Sequence, residues 1–195
     1  HLNWQFPREY WDRIPSDTPA AKHLAFPADV PAIAWHECAE CSSVGPPAAN
    51  GSNSIAYFDT AGNGRLPPPA AWQADMRRAY YATIAYVDGL IGQLLGTLDE
   101  LGLTNDTIVA FTGDHGWSLG EHDVWCKMQN SELGTRVPLL IRAPHKAATS
   151  AGHVTPALAE LVDLFPTLSD LAGLALPSAG TAAGAHLGGS SQAPL

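Results

Sequence analysis

Positive charge is scarce in this sequence. Ten Lys plus Arg stand against nineteen Asp plus Glu, for a net charge of −9, and no basic cluster interrupts the deficit. A nucleic-acid binder neutralises phosphates with clustered Lys and Arg, so that class of partner is not expected. Long apolar runs are missing as well. No stretch approaches the roughly 20 residues that cross a bilayer, and no secretory leader is read at the amino end, so no membrane partner is expected. Cysteine is rare and odd in number: Cys38, Cys41 and Cys126. Cys38-Ala-Glu-Cys41 is a C-x-x-C, but without a second pair it does not complete a zinc site. No strand precedes it to launch a redox helix, which leaves a local disulfide or inert thiols.

Proline, by contrast, crowds the first seventy residues, at 7, 15, 19, 27, 31, 46, 47, 67, 68 and 69. Long regular elements are therefore not expected there. Aromatics such as Trp4, Tyr10, Trp11, Phe26 and Trp35 make the segment too apolar for a disordered tail, and it reads as a long excursion lying over a core. Asn50-Gly-Ser and Asn105-Asp-Thr are glycosylation sequons in predicted loops. An apolar share of 46% in 195 residues suits one domain with a sizeable core.

The pattern changes at about Trp72. Tyr80, Ile84, Val87, Ile91, Leu94, Leu98 and Leu101 alternate steps of four and three, a single apolar stripe on a long helix that is expected to face the core. Gly102 is placed for a left-handed C-cap. A Thr104-Asn-Asp turn leads to Thr107–Thr112, which reads as a buried strand; Val137–Ala143 reads as a second. Leu158–Ala172 has helical spacing, with Pro166 expected to interrupt or restart it. From 177 to 195 the chain is Gly/Ala/Ser-rich and reads as a low-complexity, unstructured tail. Helix, strand, loop, strand, helix predicts an α/β layer architecture.

Between the two strands lies the densest chemistry in the chain: Gly113-Asp-His-Gly-Trp-Ser-Leu-Gly-Glu-His122, then Asp123-Val-Trp-Cys-Lys127. Ligands of α/β proteins bind beyond the carboxyl ends of strands, which is where this loop falls. Gly116-Trp-Ser118-Leu-Gly120 matches the nucleophile-elbow pattern, although three residues separate it from the strand end and His186, the available base, lies in the tail. Asp114 and His115 either hold a metal ion or serve as a turn cap and an ordinary loop histidine. By ligand type alone, carboxylate plus imidazole suits Zn or Mn, whereas Ca prefers oxygen donors.

The block Ala110–His122, with Trp125, Lys127 and Thr135–Leu140, resembles the sulfatase family. So do the helix around Tyr80–Asp88, the turn Leu103–Thr107 and Leu161–Leu168, and the resemblance covers about residues 1–176. It implies a partial alkaline-phosphatase-like three-layer α/β domain with a mainly parallel sheet, and hydrolysis of a sulfate ester on a sulfated sugar or glycosaminoglycan. It also implies one Ca²⁺ ion with Asp114 and His115 among its ligands, and Lys127 in contact with the sulfate. His1 would be a second sulfate-site group and proton donor to the leaving alcohol. Trp117 would line the sugar pocket or pack as a core Trp, and Glu121 and His122 would fix the loop from behind the ligands. A lysosomal or secretory setting is implied too.

The family's nucleophile is formylglycine, made from a cysteine in C-x-[P/A]-S-R, and none of the three cysteines stands in that pattern. The paired aspartates of the family's metal site and its C-terminal subdomain have no counterpart either. The expectation is a piece of a sulfatase catalytic domain, inactive by itself, whose nucleophile belongs to a longer parent chain. A metal-dependent phosphoesterase of the same superfamily, a non-catalytic truncated product and a Ser118 esterase are the alternatives.

Overall fold

The computed structural model describes residues 4–35, 70–176 and 188–193. Cys38, Cys41, Asn50, His1 and His186 lie outside them. The chain divides into two compact units, His1–Leu95 with His115–Val137, and Gly96–Asp114 with Pro138–Leu195. Each is described by itself.

In the first unit, α1 (Arg8–Arg13) is a short helix, and α2 (Ala70–Glu100) supplies the main packing surface. The Arg78 guanidinium donates to Trp11 O at 3.1 Å and Ile14 O at 2.9 Å and lies 4.3 Å from the Trp11 ring. It thereby adds a second donor to Trp11 O, which already accepts from Ile14 N–H, and a partner for Ile14 O at the end of α1. α2 starts just after the Pro67–Pro69 run and holds no proline through 31 residues, consistent with a long uninterrupted helix. Its end is the one read from sequence. Gly102 has φ +68, its N–H donates to Asp99 O at 3.0 Å, and Leu103 N–H donates to Leu98 O at 2.9 Å. This paired closure satisfies two carbonyls of the last turn.

The core of this unit is built from Trp72 and Met76 of α2 and from Leu119, Trp125 and Cys126, with Trp4, Tyr80 and Trp117 packed at its edge. Leu119 belongs to β2 (Ser118–Leu119), which pairs antiparallel with β3 (Trp125–Cys126) in the register Ser118↔Cys126, Leu119↔Trp125. The single-turn α3 (Glu132–Thr135) follows.

This placement corrects the expectation for α2. The buried helix positions are Trp72, Met76, Arg77, Ala79 and Ala82, whereas Ile84, Val87, Leu94 and Leu101 of the predicted core stripe are 47–65% exposed. Periodicity locates an apolar face but not the neighbours that cover it.

In the second unit, β1 (Val109–Thr112) pairs with β4 (Leu139–Arg142), Val109 opposite Arg142 and Thr112 opposite Leu139. This pairing is antiparallel, whereas the sheet implied for the whole family domain is mainly parallel. A parallel pair requires a crossover, usually a helix laid along the sheet, and the helix described between these strands is the one-turn α3. Nor are the strands buried: Phe111 and Leu140 are 43% and 58% exposed. After α4 (Ala147–Ser150), a 3₁₀ turn at Leu161–Asp163 runs into α5 (Leu164–Leu171). Pro166 sits in the first turn of α5, where a missing N–H leaves no carbonyl unpaired, so the helix restarts before the proline rather than at it.

The tail read as unstructured is bound where it is described. Asp163 Oδ1 accepts from Ser190 N–H at 2.8 Å and its Oδ2 from Glu160 N–H at 3.0 Å and the Gln192 amide at 3.3 Å. Thr167 Oγ1 accepts from Gln192 N–H at 2.9 Å. These donors hold the Asp163 carboxyl below its usual range, the Glu160 and Ser190 N–H groups contributing most. Low-complexity composition hid the segment because much of its hold comes from backbone N–H groups, which every sequence has, with the Ser191 and Gln192 side chains adding to it.

Candidate active site

The loop 113–137 leaves the carboxyl end of β1 and carries the residues singled out by sequence. Asp114 is exposed and closes the stretch that belongs to the second unit. His115, also exposed, opens the return into the first. Its Nδ1 lies 2.9 Å from Gly116 O. A carbonyl only accepts, so in this contact Nδ1 is the donor. Among the described residues no cluster of three His, Cys, Asp or Glu side chains is found, so the remaining ligands of a metal site are not supplied by them.

Beyond His115 the loop is pinned at both ends. Gly116 N–H donates to Gly134 O at 2.9 Å, and a methyl on Gly116 would overlap the Leu133 carbonyl. Within the loop, the Lys127 ammonium lies 5.9 Å from the centre of the Trp117 ring, so the fold brings together a cation and an indole that are ten positions apart. Trp117 packs in turn on Trp4, with ring centres 5.4 Å apart, and Trp4 meets Tyr80 edge-on at 5.5 Å. Burial raises the Tyr80 phenol above its ordinary value. The Trp117 indole N–H is buried without a hydrogen-bond partner. Trp117 thus packs at the core edge, as one of its two expected roles has it, and also lies under the Lys127 ammonium.

Glu121 Oε2 accepts from Leu119 N–H at 2.6 Å, and Leu119 O accepts from Arg77 Nη1 at 2.8 Å. Burial pulls the Arg77 guanidinium below its ordinary value, an effect that Glu121 and then Tyr81 partly oppose. His122 stacks on His23, ring centres 5.7 Å apart and planes 4° from parallel, and its N–H donates to His23 O. His122, Asp123 and Cys126 all have positive φ, 57, 58 and 73. Left-handed conformations cost non-glycine residues about 1–2 kcal/mol each, and three within five positions mark a loop whose shape is imposed by its surroundings.

Ser118 is not a nucleophile here. It is fully buried in β2 rather than exposed on a strand-to-helix turn, and its Oγ accepts from the Gln129 amide. The elbow pattern failed because it needs a geometry that five residue letters do not carry. Sequence reasoning in turn missed Gln129 and Arg77: a polar residue in a polar loop and a lone arginine on a helix give no signal before the chain folds.

Comparison with known proteins accounts for this arrangement. The solved structure of a phosphonate monoester hydrolase from Silicibacter pomeroyi matches with a TM-score of 0.56 and 34% identity, over 64% of this chain and 22% of that one. BT4656, in complex with its substrate D-glucosamine-2-N,6-O-disulfate, matches with a TM-score of 0.56 and 37% identity, over 64% of this chain and 24% of that one. The fold is alkaline-phosphatase-like α/β, represented here by part of a domain.

The sulfatase family model matches residues 17–174, and the chain belongs to the sulfatase family. Iduronate 2-sulfatase of Mus musculus is 41% identical over 133 residues, which cover 57% of this chain and 24% of that protein. Choline-sulfatase of Rhizobium meliloti is 44% identical over 100 residues, 51% of this chain and 19% of that protein. The chain thus spans about a quarter or less of the length of these curated relatives. Sulfatases generally use a metal ion and a formylglycine.

Proposed function

We propose that residues 1–176 form part of the catalytic domain of a sulfuric ester hydrolase that acts on a sulfated sugar, with 2-sulfated iduronate of glycosaminoglycans as the substrate. The observation that carries this reading is the Lys127 ammonium held over the Trp117 ring 5.9 Å away, in a loop that begins at Asp114-His115. The substrate assignment draws on iduronate 2-sulfatases of Mus musculus and Homo sapiens, 41% and 40% identical to this chain over the matched residues.

Each residue then has a task. Asp114 and His115 would hold the metal, for which Ca²⁺ is the choice if further carboxylates join from a longer parent, and the cation would polarise the sulfuryl oxygens. Lys127 balances charge that develops on those oxygens as the ester S–O bond breaks, which lowers the barrier because the ammonium is already in place. Trp117 offers its ring to the sugar, and Glu121 and His122 keep the loop in shape. His1, outside the described residues, gives a proton to the departing alcohol. Hydrolysis consumes one water and yields the alcohol and sulfate. No C-x-[P/A]-S-R stands in the sequence, so the nucleophile comes from a longer parent and the chain alone is expected to be inactive. Glycosylation at Asn50 and Asn105 and a lysosomal or secretory setting belong to the same reading; nucleic acid and membrane do not. The tail 177–195 takes no part in the chemistry.

A second reading, a metal-dependent phosphoesterase, is favoured by the match to phosphonate monoester hydrolases, since the same groups suit any tetrahedral oxyanion ester. Hydrolysis of 4-methylumbelliferyl iduronide-2-sulfate separates them. The expected result is no turnover by the 195-residue chain, and Ca²⁺-dependent turnover by a form extended upstream to include a formylglycine. Lys127→Ala should lower the latter by about 10²–10³-fold, the usual loss for one preorganised charge-stabilising group. An extended form that ignores this ester but cleaves a phosphonate monoester would replace the first reading by the second.

A further inference from the structure

We propose that Gln129 is the positioning residue for Lys127: its amide ties the strand beside Trp117 to the strand beside Lys127 and so fixes the ammonium over the indole. The inference rests on the sulfatase reading for what Lys127 does, but not for where Lys127 is held.

Gln129 engages its backbone N–H and both polar atoms of its side chain inside the loop. Its backbone N–H donates to Lys127 O at 2.9 Å. Its side-chain Nε2 donates to Ser118 Oγ, the residue after Trp117, and reaches Cys126 O, the residue before Lys127, at 3.5 Å. Oε1 accepts from Ser131 Oγ at 2.6 Å. One side chain therefore touches β2, β3 and the turn into α3. The site is also shaped to admit it. A Cβ on Gly134 would lie 2.7 Å from both Cγ and O of Gln129, and Gly134 O is the acceptor that anchors Gly116. Ser118 and Cys126 are fully buried, so water cannot replace the amide without opening the loop.

The need for such a frame follows from the geometry it holds. Cys126 sits at φ 73, a conformation that non-glycine residues keep only where surrounding bonds over-determine it. A lysine has four rotatable side-chain bonds, and a cation–π contact at a part-exposed site is too weak to set its backbone. The main chain at Cys126–Lys127 sets where that side chain starts, and Gln129 binds both carbonyls there, that of Cys126 through its amide and that of Lys127 through its backbone N–H.

The test uses the full chain with isotope-labelled lysine and the ring-current shift that Trp117 impresses on the Lys127 ε-CH₂ protons. Gln129→Met, close in shape but without the amide, should move that signal to its random-coil position. It should also speed exchange of the 117–127 amides by about tenfold, the effect of losing one net hydrogen bond, with the Met76 methyl unmoved. Gln129→Glu keeps oxygens that both serine hydroxyls can donate to but loses the donor to Cys126 O, and should restore only part of the shift. Ser131→Ala removes one bond of the set and should give a partial displacement, which serves if the Met variant does not fold. An unchanged Lys127 signal in Gln129→Met or Ser131→Ala, or an equal loss in the Met and Glu variants, would overturn the proposal. Titration with inorganic sulfate is read separately: failure to move the Lys127 signal in the wild-type chain counts against the proposed function and leaves the positioning role standing.

Discussion

The two strand pairs of this chain invert the usual relation between length and burial. β1 and β4 are four residues each, apolar and ideal by propensity, yet Phe111, Leu139 and Leu140 are 40–58% exposed. β2 and β3 are two residues each, with a serine and a cysteine among them, and all four are buried. Strand propensity describes how well a side chain suits a pleated surface, and what removes it from water is the neighbour stacked on that surface. For β2–β3 the neighbours are Trp72 and Met76 of α2. Two of the residues proposed for chemistry, Trp117 and Lys127, stand directly beside this buried pair, whereas Asp114 follows the longer one.

That contrast is broken most severely at Trp125, 2% exposed and edge-on to Trp72 with ring centres 4.9 Å apart. Trp125→Ala should cost about 3–5 kcal/mol through lost burial and the cavity it leaves, read as loss of near-UV ellipticity at low urea. Gly116→Ala tests the anchor of the loop. Because the new methyl meets the Leu133 carbonyl, which is backbone and cannot rotate away, a loss of about 1–3 kcal/mol is expected, as for overpacking.

The second unit offers a pH-dependent contact. The Asp163 carboxyl titrates below its usual range when folded, so the unfolded chain takes up the proton first as pH falls. The stabilisation is fully present above the ordinary carboxylate pKa of about 4 and is lost as pH drops from there through the folded value. Exchange protection of the Ser190 amide should follow that course, whereas in Asp163→Asn it should be weak at every pH. Leu140→Ser should change little. At 58% exposure on β4 it is expected to shift stability by no more than about 0.5 kcal/mol, and a larger loss in urea titration would mean that β4 is covered.

Much of the fold was legible. The closure at Gly102 could be read because a left-handed cap needs a residue without a Cβ, and the Leu98 and Asp99 carbonyls are where that cap reaches. The extent of α2 followed from periodicity and the absence of proline. The family was legible too, because Asp114-His115-Gly116 through Lys127 is a dense pattern, and the family match over residues 17–174 agrees with it. The antiparallel pairing of β1 with β4 was not legible, since direction depends on the path of the connecting loop and not on the strand residues. The elbow pattern at Ser118 stayed an alternative in the sequence, and only its burial in β2 and its bond to Gln129 removed it. Gln129 was invisible because an amide becomes informative only once its partners at 118, 126 and 131 surround it.

By itself the sequence determined the long helix and its cap, the positions of the strands and the family to which the loop belongs. All of these follow from local sterics, hydrophobic period or a specific run of residues. Tertiary structure alone decided which half of α2 is core, that the shorter strand pair is the buried one, and that Lys127 lies over Trp117. Those outcomes depend on contacts between residues far apart in the chain, whose energies exist only after the chain has folded.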